Sequence, residues 1–164
     1  MESIITIATV LTMYFNAAND VNAPYLYNSD LEDGVIHKIE IYEQKAEGQM
    51  CAKMEYRYSY DEQGRLTSRE VMRWDDSKKD WVNDFRHNYK YYKKGYNMET
   101  CKWNAEQQAY DIPSEVTLYR EIAPSVTSVR TYRMNEAKND MYLTSSLLCM
   151  EPLEVVSSRL LAVN

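Results

Sequence analysis

Tyr56-Arg57-Tyr58-Ser59-Tyr60-Asp61-Glu62-Gln63-Gly64 opens a passage that the chain then writes a second time. After it come Trp74, six polar residues from Asp75 to Asp80, and Trp81. The second copy runs through Tyr89-Lys90-Tyr91-Tyr92, Gly95, Trp103, a mostly polar stretch from Asn104 to Ala109, and Tyr110. Trp103 follows Trp74 by 29 residues, and Tyr110 follows Trp81 by the same 29. Self-similarity at a fixed period marks a repeated supersecondary unit, and alternating aromatic arms around a polar connection make that unit a β-hairpin.

Outward from this passage the period-2 pattern continues. Met50, Ala52, Met54, Tyr56, Tyr58 and Tyr60 share one parity, while Gln49, Cys51, Lys53, Glu55, Arg57 and Ser59 share the other. That is a strand with one covered face. Arg65 to Trp74 returns with Leu66, Met72 and Trp74 on one side, interrupted by Ser68 and Glu70. Trp81 shares its parity with Phe85, His87, Tyr89 and Tyr91, and Tyr110 to Ile122 forms the next arm, with Val116, Leu118 and Ile122 as core candidates. Val126–Met134 and Met141–Met150 flank another six-residue connection, which predicts a third copy of the unit. Val35–Glu43 reads as a strand, with His37 on the parity of Ile39 and Ile41. Pro24 to Asp33 reads as a polar, turn-rich loop ending in Asp33-Gly34. After Pro152, Leu153, Val156, Leu160 and Val163 have helical spacing while Val155-Val156 leans towards strand, and the tail stays open between the two, with strand favoured. The fold expected is all-β: an antiparallel meander of about eight strands built from repeated hairpins, strongly curved or barrel-like.

Length and charge set the class. With 164 residues and 45% hydrophobic content the chain makes one domain with a real core. A net charge of −6 argues against nucleic acid, which demands a basic surface. Fifteen Tyr and three Trp against two Phe suit a sheet surface where rings pack and hydroxyls stay wet. Cys51, Cys101 and Cys149 are odd in number and lack CxxC spacing, so they carry no metal or redox motif, and small strand residues is the simpler reading.

Ile4 to Phe15 is an apolar run too short to span a bilayer as a helix. Small residues follow it up to Val21-Asn22-Ala23, so residues 1–23 read as a signal peptide and 24–164 as a single exported domain. The n-region Met1-Glu2-Ser3 carries no base and Pro24 follows the expected cleavage point, which leaves cleavage after Ala17 or Ala18 as the alternative. The other structural reading of this run is a β-branched first strand buried in the sheet. The mature chain has no expected membrane span.

Tyr58-Ser59-Tyr60-Asp61-Glu62-Gln63-Gly64-Arg65-Leu66-Thr67 resembles the tyrosine-aspartate repeat of large bacterial surface and toxin-delivery proteins. The second copy, Tyr92-Lys93-Lys94-Gly95, departs from that pattern. The whole chain resembles a family of small secreted Bacteroidetes proteins classed as a domain of unknown function. That resemblance implies an exported all-β protein and brings no catalytic residues with it.

Candidate chemistry is sparse. His37 and His87 are the two histidines, each on an apolar parity that suits a hydrogen-bonded core imidazole. Glu70 and Glu99 stand four residues before Trp74 and Trp103, and a pair on neighbouring hairpins suits acid/base chemistry on a glycoside; the repeat explains their equivalence more simply. Asp75, Asp76, Asp80 and Asp84 lack the Gly and terminal Glu of a calcium loop. No catalytic residue, metal site or cofactor is assigned. Trp74, Trp81, Trp103 and Tyr110 are the candidate binding residues, as register pins or as a surface for a glycan or protein partner. The function expected is a non-catalytic exported binding module. The alternatives are a hydrolase using Glu70 or Glu99, and an assembly element pairing through an edge strand.

Overall fold

The computed structural model describes residues 4–20, 23–45 and 48–150. They form one helix, α1 (Ile7–Ala18), and ten strands: β1 (Tyr25–Glu32), β2 (Val35–Gln44), β3 (Met50–Tyr60), β4 (Leu66–Asp75), β5 (Asp80–Tyr92), β6 (Gly95–Asn104), β7 (Ala109–Tyr110), β8 (Glu115–Ala123), β9 (Val126–Asn135) and β10 (Asp140–Met150). The meander is borne out: the strands lie in sequence order in one antiparallel sheet, with the short β7 paired to the far end of β6. The sheet is open, β1 and β10 being its two edges. The tail beyond Met150 lies outside the described residues.

Three connections explain the repeat. Asp75, Asn104 and Asn135 each open a six-residue link, and each side-chain oxygen accepts from backbone N–H groups within the turn: Ser77 at 2.9 Å, Glu106 at 3.1 Å and Lys138 at 3.3 Å respectively. Lys79, Gln108 and Asn139, one residue before each link closes, all take the left-handed conformation, with φ of 53°, 52° and 50°. An Asx side chain that replaces a missing backbone partner favours the turn over continued strand. At the base of the three hairpins Trp74 stands opposite Trp81, Trp103 opposite Tyr110 and Met134 opposite Met141. The third copy expected from spacing is therefore present.

Several expectations of parity failed on register. A bulge at Asp84 in β5 turns Trp81 to the face opposite Phe85, His87, Tyr89 and Tyr91, and one at Lys53 in β3 turns Met50 and Ala52 away from the face of Met54 to Tyr60. Two more move Leu66 and His37. A bulge at Thr67, between the Ser59–Ser68 and Tyr60–Leu66 pairs, flips the parity of β4. Leu66 thus lies on the tyrosine face while Met72 and Trp74 point the other way. A second bulge at His37 does the same in β2: Ile36 turns inward, 1% exposed, and His37 stays exposed against the edge of Tyr60. The stretch Tyr25–Glu32, read as a loop, is edge strand β1, since β2 supplies its ladder partners and the Asp33-Gly34 turn has both φ positive, the twist-matched hairpin turn. The arm expected from Tyr110 onward breaks into β7 and β8 at Asp111–Ser114, where Pro113 has no N–H to give.

The core lies between α1 and one face of β2–β6. Val10, Ile36, Ile39, Ile41, Leu66 and Tyr89 are buried together, ringed by Tyr27, Tyr56, Tyr58, Tyr60, Tyr91 and Tyr96. The run from Ile4 is thus a helix and not a strand. Thr6 and Thr9 form a capping box that satisfies donors at the helix start. Residues 4–6 are tied to the β3–β4 turn: Ile7 N–H donates to the Gly64 carbonyl at 3.1 Å, Leu66 N–H to Ile5 at 2.8 Å, and Tyr91 O–H to Ile5 at 3.0 Å. Val10, Tyr14 and Ala17 face the sheet at i, i+4 and i+7 spacing, and the largely exposed Met13 borders the space between. At Gly95, φ is 140° and a Cβ would overlap the Tyr119 carbonyl oxygen across the β6–β8 ladder. Only glycine fits there.

Candidate functional site

The four residues singled out from the sequence form two pairs. Trp74 and Trp81 meet at 5.3 Å with planes at 75°, and Trp103 and Tyr110 at 5.0 Å with planes at 72°. All four rings are half-buried. Arg86 stacks 4.4 Å over Tyr110, whose hydroxyl is sealed from solvent without a partner, and burial pushes its pKa up to about 12. Each pair sits beside its own six-residue link, on strands β4–β5 and β6–β7. The structure does not bring the two pairs into direct ring contact.

The acids are each engaged. Glu70 faces Arg86 at 3.8 Å and Glu99 binds Lys90 at 2.8 Å. Strand β5 runs between them, and Glu70 is in register with Arg86 whereas Glu99 is in register with Asn88. Their backbones are therefore two strand spacings apart, about 9.5 Å, and further offset along the strands. Asp75 is spent on Ser77 and Lys78, Asp80 on Trp81 N–H, and Asp84 on Arg73. Cys51, Cys101 and Cys149 are free thiols, of which Cys101 is buried.

A second group of titratable side chains lies on the tyrosine face. A cavity of about 250 Å³ separates α1 from the sheet, lined by Val10, Met13, Ile39, Ile41, Tyr58 and Arg69 among others. Register explains how a guanidinium comes to stand there: Tyr58, Arg69 and His87 form one row across β3, β4 and β5. Arg69 Nη2 lies 3.0 Å from His87 Nδ1, and its guanidinium carbon 5.2 Å from the centre of the Tyr56 ring. Arginine can only donate, so Nδ1 accepts and the ring proton sits on Nε2. Burial, reinforced by the Arg69 charge, lowers the His87 pKa to about 4, which keeps the imidazole neutral at pH 7. Burial raises the Tyr58 and Tyr89 hydroxyls above their ordinary range, with Arg69 acting in the opposite sense. Arg69 Nε is sealed from solvent without a partner.

His87 is where its parity with Phe85 and Tyr89 places it. Arg69 was missed. Its parity with Val71 was the available signal, and the bulge at Thr67 hid the face to which that parity belongs.

No helix among the described residues is long and apolar enough to cross a membrane. A crystal structure of a Bacteroides fragilis protein of unknown function superposes with a TM-score of 0.67 at 24% identity, over 80% of this chain and 94% of that one. A DUF3836 family protein from Bacteroides vulgatus superposes with a TM-score of 0.55 at 25% identity, over 58% of this chain and 98% of that one. The first of these likenesses carries the fold alone. No curated protein matches the chain. The likeness of residues 58–67 to tyrosine-aspartate repeats stands on those ten residues only. Residues 1–121, from the leader-like run to the penultimate part of β8, match DUF3836, and the chain therefore belongs to this family of unknown function.

Proposed function

We propose that the chain is an exported, non-catalytic binding module, with residues 1–23 as leader and the tyrosine face as ligand surface. One observation carries this reading. Among the described residues α1 is the one helix or strand outside the sheet, it falls within the leader-like stretch, and it covers the apolar cluster. Removing residues 1–23 leaves Ile36, Ile39, Ile41, Leu66 and Tyr89 without that cover, and a contiguous apolar patch marks a partner site. The face seats α1 through Val10, Tyr14 and Ala17, so the occupant that fits is an apolar helix of a protein partner lying where α1 lies. A glycan fits less well: the Trp74–Trp81 and Trp103–Tyr110 pairs are turned edge to face and present no flat double platform. The engagement of Glu70 and Glu99 by their own bases supports the non-catalytic side.

Expression of the full chain in a Bacteroides host, followed by fractionation and intact-mass measurement, tests the proposal. A periplasmic or extracellular species cut between Ala17 and Pro24 is expected. A cytoplasmic species that keeps the whole apolar run sinks the reading.

A further inference from the structure

We infer that Arg69 is an anion anchor in the floor of the tyrosine face, and that its ligand is a carboxylate carried on an apolar body. The inference rests on the reading above for what reaches the face, while the anchor itself is built from strand residues. Other cations placed on or beside the face have carboxylates: Arg73 has Asp84 at 2.9 Å, Lys53 has Glu43 at 2.7 Å and Arg65 has Asp61 at 2.8 Å. Among the described residues Arg69 has none within salt-bridge distance; its polar partner is the neutral ring nitrogen of His87. Glu115, which acts electrostatically on His87, is held by Arg133 at 2.8 Å.

A guanidinium offers five N–H donors and a full positive charge. Here one donor is spent on His87 and the Tyr56 ring offsets part of the charge; Nε is sealed by the protein, so a ligand meets the remaining Nη donors. Arg69 is half-buried, where an ion pair still gains from a partner, and no carboxylate of the described residues supplies one. The cavity walls decide what brings it. Ile39, Ile41, Leu66 and Val10 are apolar, so a ligand that is anionic throughout is excluded and an amphipathic one fits. A planar carboxylate matches the guanidinium fork. In the full chain, with α1 in place, the space of about 250 Å³ exceeds the ~150 Å³ cavity that takes a benzene, which leaves room for a ring with a short acid chain. Two sources share this chemistry: a free organic acid entering beside α1, and an acidic side chain on a helix lying where α1 lies.

Two arms on the full chain separate them. In the first, 4-phenylbutyrate and its uncharged analogue 4-phenylbutanol are titrated against the protein and against Arg69→Gln and Arg69→Lys, followed by NMR shifts of the tyrosine-face residues. The acid is expected to bind the parent chain, to lose about tenfold or more in affinity in Arg69→Gln and part of that in Arg69→Lys, while the alcohol is indifferent to all three. In the second, Met13→Glu sets a carboxylate on α1 at a cavity-lining position that is 60% exposed, so little packing is lost. It is expected to raise Tm in the parent background and to lower it in Arg69→Gln. A positive first arm assigns the free acid and a positive second arm the helix-borne carboxylate. Acid and alcohol binding equally, with no coupling between positions 13 and 69, overturns the anion anchor while leaving the apolar docking face standing. No shifts from either probe, again without coupling, overturns the anchor, and the export experiment then judges the broader reading separately.

Discussion

A central and an edge hairpin of this sheet are made by the same local rules and end up in opposite environments. Hairpins β4–β5 and β9–β10 share the Asx-opened, six-residue link and the left-handed residue before its close. Yet Val71 of β4 is 0% exposed and Ile36, in the cluster beneath α1, 1%, whereas Leu147, Leu148 and Met150 on β10 are 59%, 67% and 76% exposed. Turn chemistry thus sets which strands pair, and a second layer sets whether the pairing encloses a core. A sheet face without a layer over it holds its apolar residues in water however regular its ladder. Among the described residues β10 has no neighbour on its outer edge and carries Leu143, Leu147 and Leu148 exposed, which keeps pairing with a second copy as the competing function.

The contrast can be broken most forcefully by truncating one apolar residue in each half. Ile36→Ala is expected to cost about 2–5 kcal/mol by cavity formation, and Leu148→Ala less than about 0.5 kcal/mol. Urea midpoints followed by tryptophan fluorescence read both. Equal costs would mean that β10 is covered in solution.

A smaller effect belongs to His87 in the covered half. Its pKa of about 4 lies below the ordinary value of about 6.5 for an unfolded histidine. The unfolded chain therefore takes up a proton first as pH falls. Stability from this group is complete above about pH 6.5 and is lost between there and pH 4, by about 1–2 kcal/mol once partial solvent screening is allowed for. Arg69 and Glu115 are the charges acting on the ring, in opposite directions, beneath the stronger influence of burial. NMR titration of the imidazole is expected to show no protonation above pH 5, and Arg69→Gln to move the midpoint upward. An unshifted midpoint near 6.5 would remove the row of Tyr58, Arg69 and His87 from the interior.

The smallest effect should be the same in both hairpins. Asp75→Ala and Asn135→Ala each remove a side-chain oxygen that holds turn N–H groups, at a cost of about 1 kcal/mol. Matching losses in thermal melts would sharpen the view that the hairpins are locally specified. A much larger loss at Asp75 would show that the turn depends on the layer over its sheet.

How much was legible follows from these particulars. The hairpins at Trp74–Trp81, Trp103–Tyr110 and Met134–Met141 were readable because alternation and link length are properties of neighbouring residues. The bulges at His37 and Thr67 were not. One extra residue in a strand changes parity by a ladder choice that the partner strand makes, so Leu66 and His37 were assigned to the wrong face. β1 was missed for the same reason: the exposed pattern of Tyr25–Glu32 becomes a strand only because β2 offers it a ladder.

By itself the sequence determined the antiparallel class, the order of the hairpins and their turns, since each depends on contacts a few residues apart. Only the tertiary structure decided which face became the interior, because that depends on where α1 lies and on the bulges that shift register. The same long-range decision set Arg69 beside His87 under a helix. A guanidinium is half-buried there by neighbours on other strands, and nothing local to residue 69 announces it.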